Sequence, residues 1–136
     1  MMEKTFAIIK PHAVADKISG AVINIIEDNG FEVIGMRKLQ LTKDQAETFY
    51  GVHKERPFFG DLVKNIIAGP VIVLVLKKDN AIKAWRELMG ATDPLKADEG
   101  TIRKLYGKSI DFNVAHGSDA PETAVIEIKQ FFPELA

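Results

Sequence analysis

The chain has 136 residues, of which 46% are hydrophobic and 27% are charged, a composition typical of a globular protein with a sizeable core, and we expect one domain over residues 1–136. The net charge of −1 gives no support to nonspecific binding of nucleic acids or membranes. The absence of cysteine excludes disulfides, thiolate metal sites and cysteine nucleophiles.

The beginning of the chain predicts a strand. Residues 5–9 form an apolar run, and residues 1–4 before it lack the apolar core of a signal peptide. No apolar run in the sequence approaches the roughly 18 residues of a transmembrane helix, so a cytoplasmic location is the default expectation. Lys10 stands where the predicted strand ends, a place where open sheets often bind ligands.

A helix and a second strand follow. Asp16 is expected to cap the helix and Gly30 to close it. The apolar stripe of this helix consists of Ile18, Val22, Ile25 and Ile26. Residues 31–41 are predicted to form the second strand.

Two helical pieces come next. Thr42 and Gln45 form a capping box for the first piece. Its apolar face carries Ala46, Phe49, Tyr50 and His53 at helical spacing,. After a break at Arg56-Pro57 the second piece carries Phe58, Phe59, Leu62, Val63, Ile66 and Ile67.

Residues 71–76 are all apolar and mostly β-branched, which predicts a buried strand,. Asp79 is expected to cap the helix after this strand, and Gly90 to end it. Arg86 lies beside the apolar stripe of that helix. Residues 91–112 show no clean periodicity, and an irregular segment of this length in a compact domain is usually functional or disordered. Because it leads directly into the next motif, we interpret it as functional.

That motif, Asn113-Val114-Ala115-His116-Gly117-Ser118-Asp119, places a histidine where a short strand turns into the last helix. Gly117 allows a close backbone approach or a positive φ, and Asp119 could form a capping box with Glu122. At about 100° per residue, Glu127 falls just outside the apolar stripe of the helix and can reach back toward its start. An imidazole, a hydroxyl and a carboxylate would then share one corner, although a lone histidine beside a helix start is more often a cap or surface residue.

The order of elements predicts an α+β fold with helices packed on a small sheet. Several elements supply groups that suit phosphates: Lys10, Tyr50, His53, Arg86, Thr92 and Arg103. If these groups converge on His116, they form a polyphosphate clamp, since phosphoryl transfer needs mainly positioning and charge neutralisation. The sequence contains neither a P-loop nor G-x-G-x-x-G. A neutral imidazole that relays the phosphoryl group covalently is an alternative device.

The arrangement N-x-x-H-G-S-D, with Glu127 eight residues beyond Asp119, resembles the signature of the nucleoside diphosphate kinase family. The resemblance extends over nearly the whole chain, through residues 5–11, 56–59, 69–70 and 100–103. It implies a ferredoxin-like sandwich with an antiparallel sheet, and a kinase that passes the γ-phosphoryl of a nucleoside triphosphate to a nucleoside diphosphate by a ping-pong mechanism. It also implies Mg²⁺ bound through the nucleotide phosphates, broad base tolerance, and a homo-oligomer that is a tetramer or a hexamer.

The resemblance implies a role for each matched residue. His116 would accept the phosphoryl group, with Ser118 and Glu127 orienting it. The phosphates would be contacted by Tyr50, Arg86, Thr92 and Arg103. Bacterial-type members of the family also carry a histidine like His53. Lys10 and Asn113 would bind the sugar hydroxyls. The base would stack on Phe58, with Leu62 and Ile110 beside it.

The chain departs from the family pattern in two places: His12-Ala13 stands where Asp-Gly is usual, and Lys104-Leu105 follows Arg103. Two other functions compete with the kinase. A ferredoxin-like regulatory module could bind a nucleotide without chemistry. A metal hydrolase could use His12, His53, His116 and Asp119, although these residues lack a usual ligand spacing.

Overall fold

The structure, a computed structural model, describes residues 2–136. A four-stranded antiparallel sheet lies at the centre of this part of the chain. The strands are β1 (Met2–Ile9), β2 (Glu32–Leu39), β3 (Val71–Asp79) and β4 (Ala115–Gly117). They pair in the order β2-β3-β1-β4. Strand β1 is therefore paired with β4, and this pairing places the H-G-S-D motif on an edge strand, next to the central strand β1.

Seven α-helices are found within residues 2–136: α1 (Pro11–Ala15), α2 (Ser19–Asp28), α3 (Lys43–Phe49), α4 (Phe59–Ile66), α5 (Ala81–Met89), α6 (Ile102–Tyr106) and α7 (Pro121–Phe131). Short 3₁₀ segments lie at Gly51–His53, Pro94–Lys96 and Pro133–Leu135. None of the helices in the described range is long and apolar enough to cross a membrane.

Both faces of the sheet are covered, which explains why β1 and β3 read as continuous apolar runs. One core contains Ala7 and Ile9 of β1 together with side chains of α2 and α5, among them the fully buried Trp85. The other core contains Phe6 and Ile8 together with side chains of α3, α4 and α7. The predicted α+β, ferredoxin-like class is confirmed.

The start of the second helix differs from the prediction. Pro11 begins an unpredicted helix, α1, where its fixed φ suits the first turn,. Lys17 with φ of 62° then separates α1 from α2. The N-cap of α2 is Ile18, so the prediction that Asp16 caps this helix is wrong. The Asp16 carboxylate instead accepts from Lys108 at 2.7 Å.

The cap of α5 was also predicted wrongly. Strand β3 continues through Asp79, and the N-cap is Asn80, which has φ of 53°. A carboxylate from a neighbouring strand reaches this helix start, because the backbone N–H of Ile82 donates to Glu3 Oε1 at 2.9 Å.

The prediction for the region between β2 and β3 is confirmed at the start of that region. Thr42 and Gln45 form the predicted capping box, with hydrogen bonds of 2.9 and 3.1 Å. Helix α3 ends at Phe49, however, so Tyr50 and His53 lie beyond it, in the C-cap and the following 3₁₀ segment. Strand β2 is shorter than predicted and carries an irregularity between Val33 and Gly35.

Candidate active site

Strand β4 places His116 beside the central strand. His116 is opposite Ile8 and Gly117 is opposite Ala7, which confirms the predicted short strand at the motif. The imidazole side chain is 22% exposed, and it packs edge-on against Phe49, with ring centroids 4.9 Å apart. His116 is thus held rigidly while part of its ring remains accessible.

The predicted imidazole, hydroxyl and carboxylate do meet. Glu127 Oε1 on α7 lies 3.2 Å from His116 Nε2 and accepts from Ser118 Oγ at 2.7 Å. Ser118 is fully buried, and its Oγ also accepts from the backbone N–H of Phe6 at 3.2 Å. A neutral imidazole that donates from Nε2 to the carboxylate keeps its lone pair on Nδ1. Across residues 2–136, His116 Nδ1 has no hydrogen-bond partner, so this lone pair is available for reaction.

Gly117 is required for a close approach. A Cβ atom at this position would lie 2.5 Å from Trp85 Cδ1 and 2.7 Å from Met89 Cε. Trp85 Nε1 also donates to the backbone carbonyl of His116 at 3.2 Å. The backbone of β4 is therefore pressed against α5, and the first of the two roles predicted for Gly117 applies.

The start of α7 does not use the predicted Asp119–Glu122 box. The N-cap is Ala120, one residue later, and its backbone N–H donates to Thr123 Oγ1 at 2.9 Å. Asp119 Oδ1 instead accepts from Arg86 Nη1 at 2.7 Å. Both side chains are well exposed, at 73% and 49%. Arg86 is thereby held next to the H-G-S-D motif.

Lys10 and Asn113 form a second group of predicted residues. Lys10 Nζ donates to Asn113 Oδ1 at 2.7 Å, and Asn113 Nδ2 donates to the backbone carbonyl of Thr92 at 3.0 Å. Burial, assisted by the charge of Arg103, lowers the pKa of Lys10 to about 8. Burial thus disfavours the charged form of this side chain, which lines the cleft beside Asn113.

Arg103 is buried and braces the backbone around the site. Its guanidinium donates to the carbonyls of Asn113, Gly90 and Ala115 at 3.2, 3.0 and 2.7 Å. Burial, and then the charge of Arg86, lower its pKa to about 10. Since a guanidinium has five N–H donors, two of them remain for a ligand.

A tight turn at Val114 joins Asn113 to β4. Val114 is fully buried and has φ of 77°, and Ala115 N donates across it to Asn113 O at 3.0 Å. A γ-turn with positive φ is rare and strained, above all for a β-branched residue. Nothing in the sequence signals this strain. The backbone N–H of Val114 donates to His12 Nε2 at 2.9 Å. His12 itself can be noticed in the sequence, because His12-Ala13 stands where the family pattern usually has Asp-Gly.

One cleft in the described part of the chain has a volume of ≈ 930 Å³. Among its lining residues are seven predicted ones: Lys10, Tyr50, Phe58, Leu62, Thr92, Ile110 and Asn113. Phe58 and Ile110 are 45% and 57% exposed, so apolar surface is presented at the cleft. His53, Arg86, Arg103 and His116 are not among the residues that line this cleft. The His53 ring lies 5.5 Å from that of Phe58, which does line it.

Phe49 lies between Tyr50 and His116 and packs against both rings. Tyr50 lines the cleft, and its ring centroid lies 5.1 Å from that of Phe49. Burial, followed by the negative charge of Glu127, raises the pKa of Tyr50 to about 12. The Tyr50 hydroxyl therefore stays protonated at neutral pH and can donate a hydrogen bond to an anionic ligand.

The metal-hydrolase alternative has no ligand cluster to support it. Throughout the described range, no group of three or more His, Cys, Asp or Glu side chains could hold a metal ion. The cations and neutral donors described above suit an anionic ligand instead.

Comparison with known proteins adds independent information. A family model described as "Nucleoside diphosphate kinase" matches residues 3–136. A protein of that name from Geotalea daltonii is 62% identical over 134 residues, covering 98% of each chain. Another from Bradyrhizobium diazoefficiens is 60% identical over 131 residues, covering 96% of this chain and 94% of that protein. Among solved structures, the nucleoside diphosphate kinase of Aquifex aeolicus superimposes with a TM-score of 0.96 at 36% identity, covering 99% and 98% of the two chains.

Proposed function

The chain belongs to the nucleoside diphosphate kinase family, and from this premise we propose that His116 carries the phosphoryl group from one nucleotide to the next. Its activity is that of a nucleoside diphosphate kinase, which acts on nucleoside phosphates. The observation that carries the proposal is the contact of His116 Nε2 with Glu127, which leaves the Nδ1 lone pair free.

In the proposed reaction Nδ1 attacks the γ-phosphorus of a nucleoside triphosphate. A P–N bond forms, the bond from phosphorus to the β–γ bridging oxygen breaks, and the nucleoside diphosphate leaves with that electron pair. A terminal phosphate oxygen of a second diphosphate then attacks the same phosphorus, and the P–N electrons return to Nδ1. Glu127 holds the ring and stabilises the positive charge that develops on it.

We propose that the cleft binds the nucleotide. The exposed ring of Phe58, with Leu62 and Ile110 in the same cleft, supports base stacking there. The paired side chains of Lys10 and Asn113 offer an ammonium and an amide to the sugar hydroxyls. The donors proposed for the phosphates are Tyr50, His53, Arg86, Thr92 and Arg103. The two unused N–H groups of Arg103 and the protonated hydroxyl of Tyr50 support this assignment.

We also propose that Mg²⁺ enters with the nucleotide and is held by phosphate oxygens. The side chains proposed to surround the phosphates are cations and neutral donors, which fit a negatively charged Mg²⁺–polyphosphate, and they include none of the carboxylates that commonly hold Mg²⁺. Bound in this way, the ion would neutralise charge on the β- and γ-phosphates. The residues of the chain supply the nucleophile and its orientation.

The remaining sequence predictions stay proposals. They are a single domain over residues 1–136, a cytoplasmic location, and a homo-oligomer of four or six chains that needs neither nucleic acid nor membrane. Exposed apolar side chains outside the cleft support association of several copies: Leu95, Leu105, Val125 and Ile126. Cell fractionation checks the location.

The decisive experiment is incubation with Mg²⁺ and γ-labelled ATP in the absence of an acceptor. We expect a phosphoprotein that is labile in acid, stable in alkali and discharged by added nucleoside diphosphate, together with parallel double-reciprocal plots. His116→Ala should lose both the label and turnover, while Lys83→Gln, at a side chain that is 82% exposed, serves as a folded control with its histidine intact. Intersecting plots without an isolable phosphoprotein would show that His116 acts as an acid–base or binding residue instead.

The same proposal predicts broad base tolerance. Phe58, Leu62 and Ile110 offer apolar contact and no base-edge hydrogen bonds, and stacking is tolerant because every base has a π-face. Purine and pyrimidine diphosphates should therefore be accepted within a modest range of kcat/KM. Acceptance of one base alone would contradict this assignment of the cleft.

A further inference from the structure

His12, on the short helix α1, makes a contact that the proposed mechanism does not use. Its Nε2 accepts the backbone N–H of Val114 at 2.9 Å, across 102 positions of sequence. The carbonyl of the same Val114 accepts from the backbone N–H of Lys10 at 2.8 Å. The N–H and the C=O of the strained residue are thus both held by the segment that follows β1.

The held residue occupies a sensitive position. Asn113, immediately before it, binds Lys10 through its side chain, and His116 follows two residues after it. A positive φ at a buried valine persists only where the surroundings enforce it,. Loss of the Val114 N–H contact would let the turn relax and would displace Asn113 and β4 together.

The contact requires one protonation state of the ring. An Nε2 that accepts a hydrogen bond must be unprotonated, so a neutral His12 carries its proton on Nδ1. Nδ1 is buried and is without a hydrogen-bond partner in the described residues. Protonation of the ring would place an Nε2–H against the Val114 N–H, two donors at hydrogen-bond distance, and would break the contact.

The surroundings of His12 favour the neutral ring. Burial lowers its pKa, and the charge of Lys10 and then that of Lys108 add to this effect, while Asp16 opposes it. The edge of the Phe112 ring system packs against the imidazole, at 5.5 Å between centroids, and contributes no charge. Because its pKa is lowered, His12 becomes protonated only at a pH below about 6.5, the ordinary pKa of a histidine.

We propose that His12 is a positioning residue of the kinase: its neutral imidazole fixes the Val114 turn and so sets where Asn113 and His116 stand. The proposal rests on the proposed roles of these two residues. It makes activity depend on the protonation of a histidine that does not touch the phosphoryl group. As pH falls, the enzyme should lose its geometry through His12 in addition to any loss through His116 itself.

Two substitutions separate the hydrogen bond from the ring. His12→Phe keeps an aromatic ring against Phe112 but removes the acceptor. His12→Gln places an amide oxygen near the position of Nε2 and does not titrate. Steady-state kcat/KM, measured from pH 8 to pH 5, is the readout, with circular dichroism to confirm folding over the same range.

At pH 8 we expect His12→Phe to lose about tenfold in kcat/KM, the size of one buried hydrogen bond, and His12→Gln to retain more of it than His12→Phe. Below about pH 6.5, kcat/KM of the wild type should fall more steeply than that of His12→Gln. Equal losses in the two variants, or parallel pH profiles of wild type and His12→Gln, would overturn the proposal. If His12→Phe does not fold, the comparison of pH profiles decides alone.

This readout is independent of the phosphohistidine. Turnover is measured whether or not His116 forms a P–N bond, so the result for His12 stands in either case. A wild-type enzyme that turns over but takes up no label would refute the proposed nucleophile only. A labelled wild type with parallel pH profiles would refute the role of His12 only.

Discussion

At the scale of single residues, the proposed orientation of the His116 ring depends on the carboxylate of Glu127. It accepts from Ser118 Oγ at 2.7 Å and lies 3.2 Å from His116 Nε2. Glu127→Gln keeps the size of the side chain but removes its charge. We expect kcat to fall by about 10- to 100-fold, the range of one charge-assisted hydrogen bond, with ADP affinity retained. Steady-state kinetics and calorimetric titration measure the two quantities, and an unchanged kcat would show Glu127 to be a helix residue only.

Lys10 gives a prediction about alkaline pH. With its pKa lowered to about 8, the ammonium should lose its charge as pH rises through 8, and kcat/KM should fall because a cation facing the ligand is lost. The unfolded chain keeps this proton to about pH 10.5. It therefore binds more protons than the folded protein between these values, and the contribution of Lys10 to the free energy of unfolding rises with pH.

As pH rises from about 8 to 10.5, the deprotonation of Lys10 should therefore lower kcat/KM while its contribution raises the free energy of unfolding. Lys10→Met is the matched variant, since it keeps the length of the side chain without the charge. Its kcat/KM should be low and should lack this alkaline decline, while chemical denaturation follows its stability. Wild-type activity that stays level to pH 10 would contradict the prediction.

At the scale of elements, apolar periodicity located most strands and helices, whereas aspartate caps were predicted poorly. Asp16 and Asp119 instead accept from Lys108 and Arg86, partners remote in the chain. A carboxylate can cap a helix or pair with a cation, and local sequence does not show which partner the fold supplies. Helix α1 was missed because its five residues are too few to show a period,.

Gly117 supplies a prediction at the same scale, because it sets the contact between β4 and α5. In Gly117→Ala the new Cβ would meet Trp85 and Met89 at 2.5 and 2.7 Å, so one of the two elements must shift. We expect the free energy of unfolding to fall by about 1–3 kcal/mol, the usual cost of overpacking a core. Because the shift acts on the strand that carries His116, kcat should fall as well.

Gly51→Ala is a suitable control for this experiment, since a Cβ there would have no atom within 4 Å. Thermal denaturation and steady-state kinetics compare the two variants. If Gly117→Ala melts and turns over like Gly51→Ala, the packing of β4 on α5 is looser than the structure indicates.

At the scale of the whole molecule, the resemblance to a family was needed to anticipate the convergence of the site. Lys10 Nζ and Asn113 Oδ1 are 2.7 Å apart but 103 positions apart in sequence. Sequence spacing could relate His116, Ser118 and Glu127, because they lie on a strand end and on the helix that directly follows it, and both are rigid. It could not relate residues brought together only by the strand order.

Association of several copies is the prediction that belongs to this scale. Leu95 and Ile126 are 84% and 67% exposed, so both large apolar side chains are in contact with water. Burial of these side chains against another copy would stabilise the assembly. Native mass spectrometry should give four or six times the chain mass of 15.1 kDa. The melting temperature should rise with protein concentration. A mass of one chain, unchanged at high concentration, would contradict the prediction.

The pairing of the first strand with the last also bears on how the protein is made. Strand β1 is synthesised well before its partner β4, which contains residues 115–117, and α7 follows β4. Pairings between such distant segments are slow to form because a long loop must be closed first. During synthesis the edge of β1 that β4 will cover is therefore open, and no truncated nascent chain holds an oriented His116. The enzyme is consequently expected to be inactive until β4 and α7 (Pro121–Phe131) have both been synthesised.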